Sequence, residues 1–156
     1  LARLARDKNT IVPEAFRLPR PMIHSGDLFF SFSGLKTAVM TRVKKHESLS
    51  NDQKEALALE FENAVTDVLV AKTKQALYET NARALIVGGG VSANTHIRKA
   101  LEDLTKAEDV ELYFPDIKLS GDNGLMIATA GLCHIEDGVQ PKVKIKATGS
   151  WSIEET

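Results

Sequence analysis

The chain has 156 residues, 43% of them hydrophobic and 26% charged, which suits one compact domain and excludes a disordered chain. Its single cysteine, Cys133, excludes an intrachain disulfide and a cysteine-based zinc site, and we expect a small buried residue in a reducing, cytoplasmic setting. No run reaches the roughly 20 apolar residues of a membrane helix, and no signal peptide is visible, so we expect no membrane partner.

The formal net charge of −1 is unevenly distributed along the chain. Residues 1–46 carry nine Lys/Arg against three Asp/Glu, net +6, and residues 47–80 carry three against seven, net −4. A basic first third is compatible with a phosphate-rich partner such as RNA. Uneven but solvated surface charge is the simpler alternative.

The first half of the chain predicts mainly helices. Its expected elements are a helix tail at 1–6, a loop or edge strand at 11–22, a strand at 28–32, a helix at 35–45 and a long helix from about 50 to 79. Ser50 and Gln53 have the spacing of a capping box for the long helix. Leu57, Phe61 and Val68 belong to its predicted core-facing stripe. Because the chain begins inside a helix and without Met, we expect a fragment of a longer protein.

The second half alternates strands with helices. Strands are predicted at 84–87 and 110–114, helices at 94–106 and 124–135, and an edge strand at 142–147. Short connections between alternating elements predict an α/β fold with at least partly parallel strand pairing.

Three consecutive glycines, residues 88–90, follow the first predicted strand. A turn without side chains lets backbone N–H groups approach a phosphate closely. With Ala93 the run also satisfies the G-x-G-x-x-G/A spacing of a dinucleotide site, although the acid expected about 20 positions on would be Glu111 or Asp116. A strand-to-helix turn that binds nothing is the alternative, and Asn94 is either a helix cap or a ligand contact.

A second polar turn, residues 120–123, opens the last predicted helix. Asp122, 28 residues after Asn94, is most simply a helix cap, as is Asn123. The functional alternative is a carboxylate that ligates a metal ion. One carboxylate makes no metal site, and the four histidines show no paired spacing. The two turns could nevertheless face one ligand.

Three segments in this order carry a more specific signal. They are FSFSGLKT at residues 30–37, GGVSAN at 89–94 with Ile97-Arg98 behind it, and DNGLMIA at 122–128. Together with FRLPRP at 16–21 they closely resemble the C-terminal half of the TsaD/Gcp/YgjD family, from the first residues to about residue 131. That family supplies the tRNA N6-threonylcarbamoyladenosine synthase, once labelled O-sialoglycoprotein endopeptidase, or glycoprotease.

The resemblance implies an actin-like, Hsp70-like fold of the ASKHA, RNase H-like class. Residues 1–156 would then be the C-terminal part of a two-lobe protein, a three-layer α/β lobe that is incomplete and inactive without the N-terminal half. The implied reaction transfers threonylcarbamoyl from threonylcarbamoyl-AMP to N6 of adenosine-37 in tRNAs that read ANN codons. The implied partners are tRNA and, in a bacterium, TsaB-like and TsaE-like proteins. The isolated fragment could also self-associate.

The resemblance also assigns site residues. Asn94, with Gly89 and Gly90, would contact the adenylate, and Asp122 would complete a site for one divalent metal, iron or zinc. The family's other metal ligands are an H-x-x-x-H pair from the N-terminal half, which this chain lacks. No residue is an evident general base. Three further residues are expected to line the cleft or face tRNA: Ser33, Lys36 and Arg20.

The sequence also departs from the family pattern, and other functions stay open. Ser120-Gly121 stands where the family usually has Cys-Thr or Thr-Thr, which bears on how Asp122 is aimed. The alternatives are a Rossmann-type dinucleotide-binding domain, a non-catalytic TsaB-like scaffold and a metallopeptidase, as in the family's older label.

Overall fold

A computed structural model describes residues 1–46 and 48–138. Its elements are α1 (Ala2–Asp7), α2 (Ser33–Lys44), α3 (Asn51–Thr80), β1 (Ala84–Ile86), α4 (Thr95–Ala107), β2 (Glu111–Tyr113) and α5 (Gly124–Glu136). Short 3-10 turns occupy Glu14–Phe16, Gly90–Ala93 and Ile117–Leu119. The predicted edge strand at 142–147 lies outside the described residues.

The second half forms a β-α-β unit, as predicted. β1 and β2 pair in parallel, with Ala84 opposite Glu111, and α4 is the crossover between them. The buried face of α4 packs on the end of α3 in one apolar cluster: Leu77, Ile97, Leu101 and Leu104. The α/β class and the parallel pairing are therefore confirmed, with a sheet of two strands in the described part of the chain.

Helix α3 is the scaffold on which both halves pack. The capping box is confirmed, since Gln53 N–H donates to Ser50 Oγ at 3.2 Å and Ser50 N–H to Gln53 Oε1 at 2.9 Å. Leu57 near its start lies in a second apolar cluster with Phe16 and Leu35. One helix thus fixes α2 and the 11–22 loop near its first half and α4 at its second.

Part of the uneven charge is paired within the molecule. Basic residues of the first segment pair with acidic residues of α3: Arg6 with Glu62, Lys8 with Glu55, and Arg20 with Glu60 and Asp67. A buried lysine, Lys72, in turn donates to Ser25 Oγ at 2.8 Å. Three of the nine basic residues of the first segment thus pair with α3, and the RNA interpretation of this segment stays a prediction.

Three local predictions were wrong. Residues 28–32 form no strand, because the described residues offer no neighbouring strand and Asp27 Oδ1 instead accepts local hydrogen bonds from Ser25 Oγ and Phe29 N–H. Phe61 is 42% exposed on α3. Cys133 is also exposed, since α5 has no buried residue. The 11–22 segment is the predicted loop, with one 3-10 turn.

Candidate adenylate-binding turns

The glycine turn connects β1 to α4 and requires glycine at one position. Gly89 has φ +84° and ψ 165°, a backbone conformation that residues other than glycine essentially do not adopt. Within the turn Ser92 N–H donates to Gly89 O at 3.0 Å, and Asn94 N–H to Val91 O at 2.9 Å. A Cβ added at Gly88 or Gly90 would meet no atom within 4 Å. The turn is therefore conformationally fixed at Gly89 and open above its neighbours.

Asn94 is the N-cap of α4. Its Oδ1 accepts from His96 N–H at 2.9 Å and from Ile97 N–H at 3.1 Å, while its Nδ2 donates to Glu62 Oε1 at 2.8 Å. The capping alternative is therefore confirmed. A ligand contact through the Asn94 side chain has to share these atoms, and it stays a prediction.

Charged groups of α1 and α3 lie behind this cap. Glu62, which accepts from Asn94, also forms an ion pair with Arg6 of α1. Burial, followed by the positive charge of Arg6, lowers the pKa of His96 below its ordinary value, against an opposing contribution from Asp67. The cap is thus held from α3 and lies beside a histidine whose lowered pKa favours the neutral form.

In the second turn, residues 120–123, the carboxylate of Asp122 does not cap the helix that follows. Asn123 caps α5, accepting from Met126 N–H at 2.9 Å, and its Nδ2 donates to Gly121 O at 2.8 Å. Asp122 is exposed. Of the two caps that the sequence offered, the structure uses Asn123 and leaves the Asp122 side chain directed to the surface.

The described residues do not assemble a metal site by themselves. Among residues 1–46 and 48–138 no three His, Cys, Asp or Glu side chains are grouped closely enough to hold an ion. Asp122 fits the role of one ligand in a larger set, because an exposed carboxylate is a ligand for hard and borderline metals. Its metal role stays a prediction.

Arg98 connects the two turns, and the sequence reasoning assigned it no role. Its Nε donates to Ser92 O in the glycine turn, and its Nη2 donates to Pro115 O at 2.8 Å and to Ser120 Oγ at 3.3 Å. Ser120, at the start of the Asp122 turn, is 4% exposed. The only sequence signal for this link was the Ile97-Arg98 pair behind GGVSAN.

The remaining predicted site residues lie on other elements. Ser33 and Lys36 are exposed on α2, and among the described residues neither hydrogen-bonds to the two turns. Arg20 is committed to α3, with bonds to Glu60 and Asp67. The predictions that these three residues line the cleft or face tRNA remain predictions.

The dinucleotide alternative gains no support from its two candidate acids, whose hydrogen bonds are local. Glu111 Oε2 accepts from Tyr113 OH at 2.6 Å, and Asp116 Oδ1 accepts from Lys118 N–H at 3.1 Å. Asn94 also occupies the first amides of α4, where a Rossmann site would hold the pyrophosphate. The β-α-β unit therefore resembles that fold in order but not in its binding groups.

In the described residues no helix is both long and apolar enough to cross a membrane.

Comparison with known proteins gives a consistent family. The family model for "TsaD: tRNA N6-adenosine threonylcarbamoyltransferase" matches residues 1–129. Curated relatives with that name include one from Nitrosomonas europaea, 44% identical over 90% of this chain and 40% of its own length, and one from Burkholderia multivorans, 51% identical over 81% and 38%. A relative from Pelobacter propionicus is 40% identical over 91% of this chain and 42% of its own length. The chain spans about two fifths of the length of these relatives, and it belongs to the TsaD family of tRNA N6-adenosine threonylcarbamoyltransferases.

Proposed function

We propose that residues 1–156 form the C-terminal part of a tRNA N6-adenosine threonylcarbamoyltransferase and supply one wall of its adenylate cleft. The observation that carries this proposal is the pair of turns that Arg98 joins, since both belong to the segments shared with the family. In the whole protein this part would belong to an actin-like, three-layer α/β lobe. The described α/β unit with its parallel strands is compatible with that fold.

The open glycine turn favours a phosphate-bearing ligand. Gly88 and Gly90 leave space in which a ligand would meet backbone rather than side chains. The nearby positive charge of Arg98 suits the anionic phosphate of an adenylate. The substrate that fits best is threonylcarbamoyl-AMP, with Gly89 and Gly90 facing its phosphate.

The proposed reaction is an acyl transfer. N6 of adenosine-37 forms a bond to the carbamoyl carbon, the bond from that carbon to the phosphate oxygen breaks, and AMP leaves with the electron pair. The N6 proton passes to solvent or to the leaving phosphate. This chain would contribute binding and orientation, which supply a large part of the rate in such transfers. A divalent metal in the whole protein would add electrostatic stabilisation, with Asp122 as one ligand.

The partners follow from this reaction. The acceptor would be a tRNA that reads ANN codons, in the cytoplasm. In a bacterium, TsaB-like and TsaE-like proteins would assist. Asp122 needs further ligands, which the H-x-x-x-H motif of the family would supply from the part of the relatives that this chain does not span.

Binding of AMP to the full-length protein tests the proposal by calorimetry. A carboxylate introduced by Gly90→Glu has space for its Cβ but repels the phosphate, so we expect AMP affinity to fall roughly tenfold or more. Ala107→Glu adds the same charge at the other end of α4, about 20 Å away by helix geometry, and should keep the parent affinity. A parent that does not bind AMP, or a Gly90→Glu variant that binds as tightly, would overturn the proposal.

A further inference from the structure

The side chain of Arg98 bridges three separate pieces of chain. It starts in the first turns of α4 and donates to Ser92 O of the glycine turn, to Pro115 O just after β2, and to Ser120 Oγ of the Asp122 turn. No other side chain in the described residues hydrogen-bonds to both turns. The guanidinium is therefore the direct connection between them.

The geometry of this connection depends on the shape of a guanidinium. Arg98 Cζ lies 4.4 Å from the centroid of the Phe114 ring, and Phe114 itself packs against the cluster that holds Ile97 and Leu101. Contact with the ring face helps to hold the guanidinium in place, and its planar shape sets the directions of its donors. A guanidinium held against a core side chain can keep the two turns at a constant separation.

The charge of Arg98 is hydrogen-bonded but not neutralised. The three acceptors are two carbonyl oxygens and a hydroxyl, and the ion pairs of the described residues do not include Arg98. Other arginines near the core, such as Arg6 and Arg20, pair with carboxylates of α3. A positive charge left uncompensated between two turns attracts an anion to that place.

We propose that Arg98 is a positioning residue that fixes the glycine turn and the Asp122 turn relative to each other, so that one adenylate contacts both. The bridging role rests on the geometry alone, whereas its effect on adenylate binding rests on the proposed function. Arg98 need not touch the ligand. It acts through the backbone of Ser92 and the hydroxyl of Ser120.

Two substitutions separate this role from packing and from charge. Arg98→Met keeps an unbranched stem on the Phe114 ring but has no donors. Arg98→Lys keeps the charge but has one ammonium group, which cannot reproduce the fork. Lys99→Met is the control, because Lys99 is the next residue on α4 and, among the described residues, its side chain pairs only with Asp103 on the exposed face.

Amide hydrogen exchange in the full-length protein without ligand tests the bridge. We expect exchange in residues 89–94 and 120–126 to accelerate roughly tenfold or more in both Arg98 variants, with α3 unchanged, and no change in the control. Unchanged exchange in the two turns would overturn the proposal. Parent-like exchange in Arg98→Lys would show that only the positive charge matters. An equal acceleration of exchange throughout α3 would show that Arg98 stabilises the whole fold. Either result would also overturn the proposal.

A kinetic measurement tests whether the bridge serves the adenylate. In threonylcarbamoyl transfer, Arg98→Lys should raise KM for threonylcarbamoyl-AMP roughly tenfold or more while KM for tRNA stays at the parent value. Equal KM values for the adenylate in parent and variant would overturn the claim that the bridge supports adenylate binding. A parent without transfer activity contradicts the proposed function instead, and the exchange experiment still decides whether Arg98 bridges the turns.

Discussion

Replacing Asn94 with alanine removes two structural interactions at once. The cap loses its bonds from His96 N–H and Ile97 N–H, and loss of such a cap costs about 1 kcal/mol. The half-buried bond to Glu62, 2.8 Å long, has a charged acceptor, and bonds of that kind contribute about 1.5–3 kcal/mol. Glu62 keeps its ion pair with Arg6, which limits the second loss. We therefore expect Asn94→Ala to lower the free energy of unfolding by about 2–3 kcal/mol.

Urea unfolding of the full-length protein measures this loss. Asn94→Ser keeps an acceptor for the cap but does not reach Glu62, so it should fall between the parent and Asn94→Ala. Ser50→Ala removes the cap bond of α3 but no bond comparable to that between Asn94 and Glu62. It should lower the free energy of unfolding by about 1 kcal/mol. An Asn94→Ala variant within about 0.5 kcal/mol of the parent would refute the reasoning. So would a serine variant as unstable as the alanine variant, because the cap would then contribute nothing.

Further predictions concern the turns, the buried lysine and pH. Gly89→Ala forces φ +84° on a residue with a side chain and should cost about 1–3 kcal/mol, whereas Gly90→Ala should melt like the parent; equal melting of both variants would contradict the strain. Lys72→Met removes the donor to Ser25 Oγ, so chymotrypsin should cleave faster at the exposed Phe29, and an unchanged cleavage rate would contradict this anchoring. Because burial and Arg6 hold the pKa of His96 below 6.5 in the fold, the unfolded chain takes up this proton first. Its contribution to stability is complete above pH 6.5 and is lost as pH falls through the folded pKa; His96→Gln should flatten that decline, and identical pH profiles would argue against it.

Local rules predicted the elements whose signals lie within a few residues. The capping box at Ser50 and Gln53 set the start of α3, and the apolar spacing of Ile97, Leu101 and Leu104 set the buried face of α4. Alternation of short strands with α4 was enough for the parallel β-α-β unit. These signals lie within single elements or in the order of the elements, so the sequence alone is enough to predict them.

Features that depend on distant partners were missed. The aromatics near Phe29 favour a strand by propensity, but a strand also needs a partner, and the described residues offer none. The pairing of Arg6, Lys8 and Arg20 with acidic residues of α3 was also missed, because the partners are distant in the sequence. No local pattern distinguishes Arg98 from a solvated helix arginine, because its acceptors lie as far along the chain as Ser120.

Formation of N6-threonylcarbamoyladenosine tests the central claim most directly. The full-length protein would be incubated with threonylcarbamoyl-AMP and an ANN-decoding tRNA, and the nucleosides of the tRNA analysed by mass spectrometry. We predict that the modified nucleoside forms with the parent and is lost with Asp122→Ala, whose exposed side chain leaves the fold unchanged when it is removed. A parent that leaves the tRNA unmodified would contradict the proposed function, and an Asp122→Ala variant as active as the parent would contradict the role of the Asp122 turn.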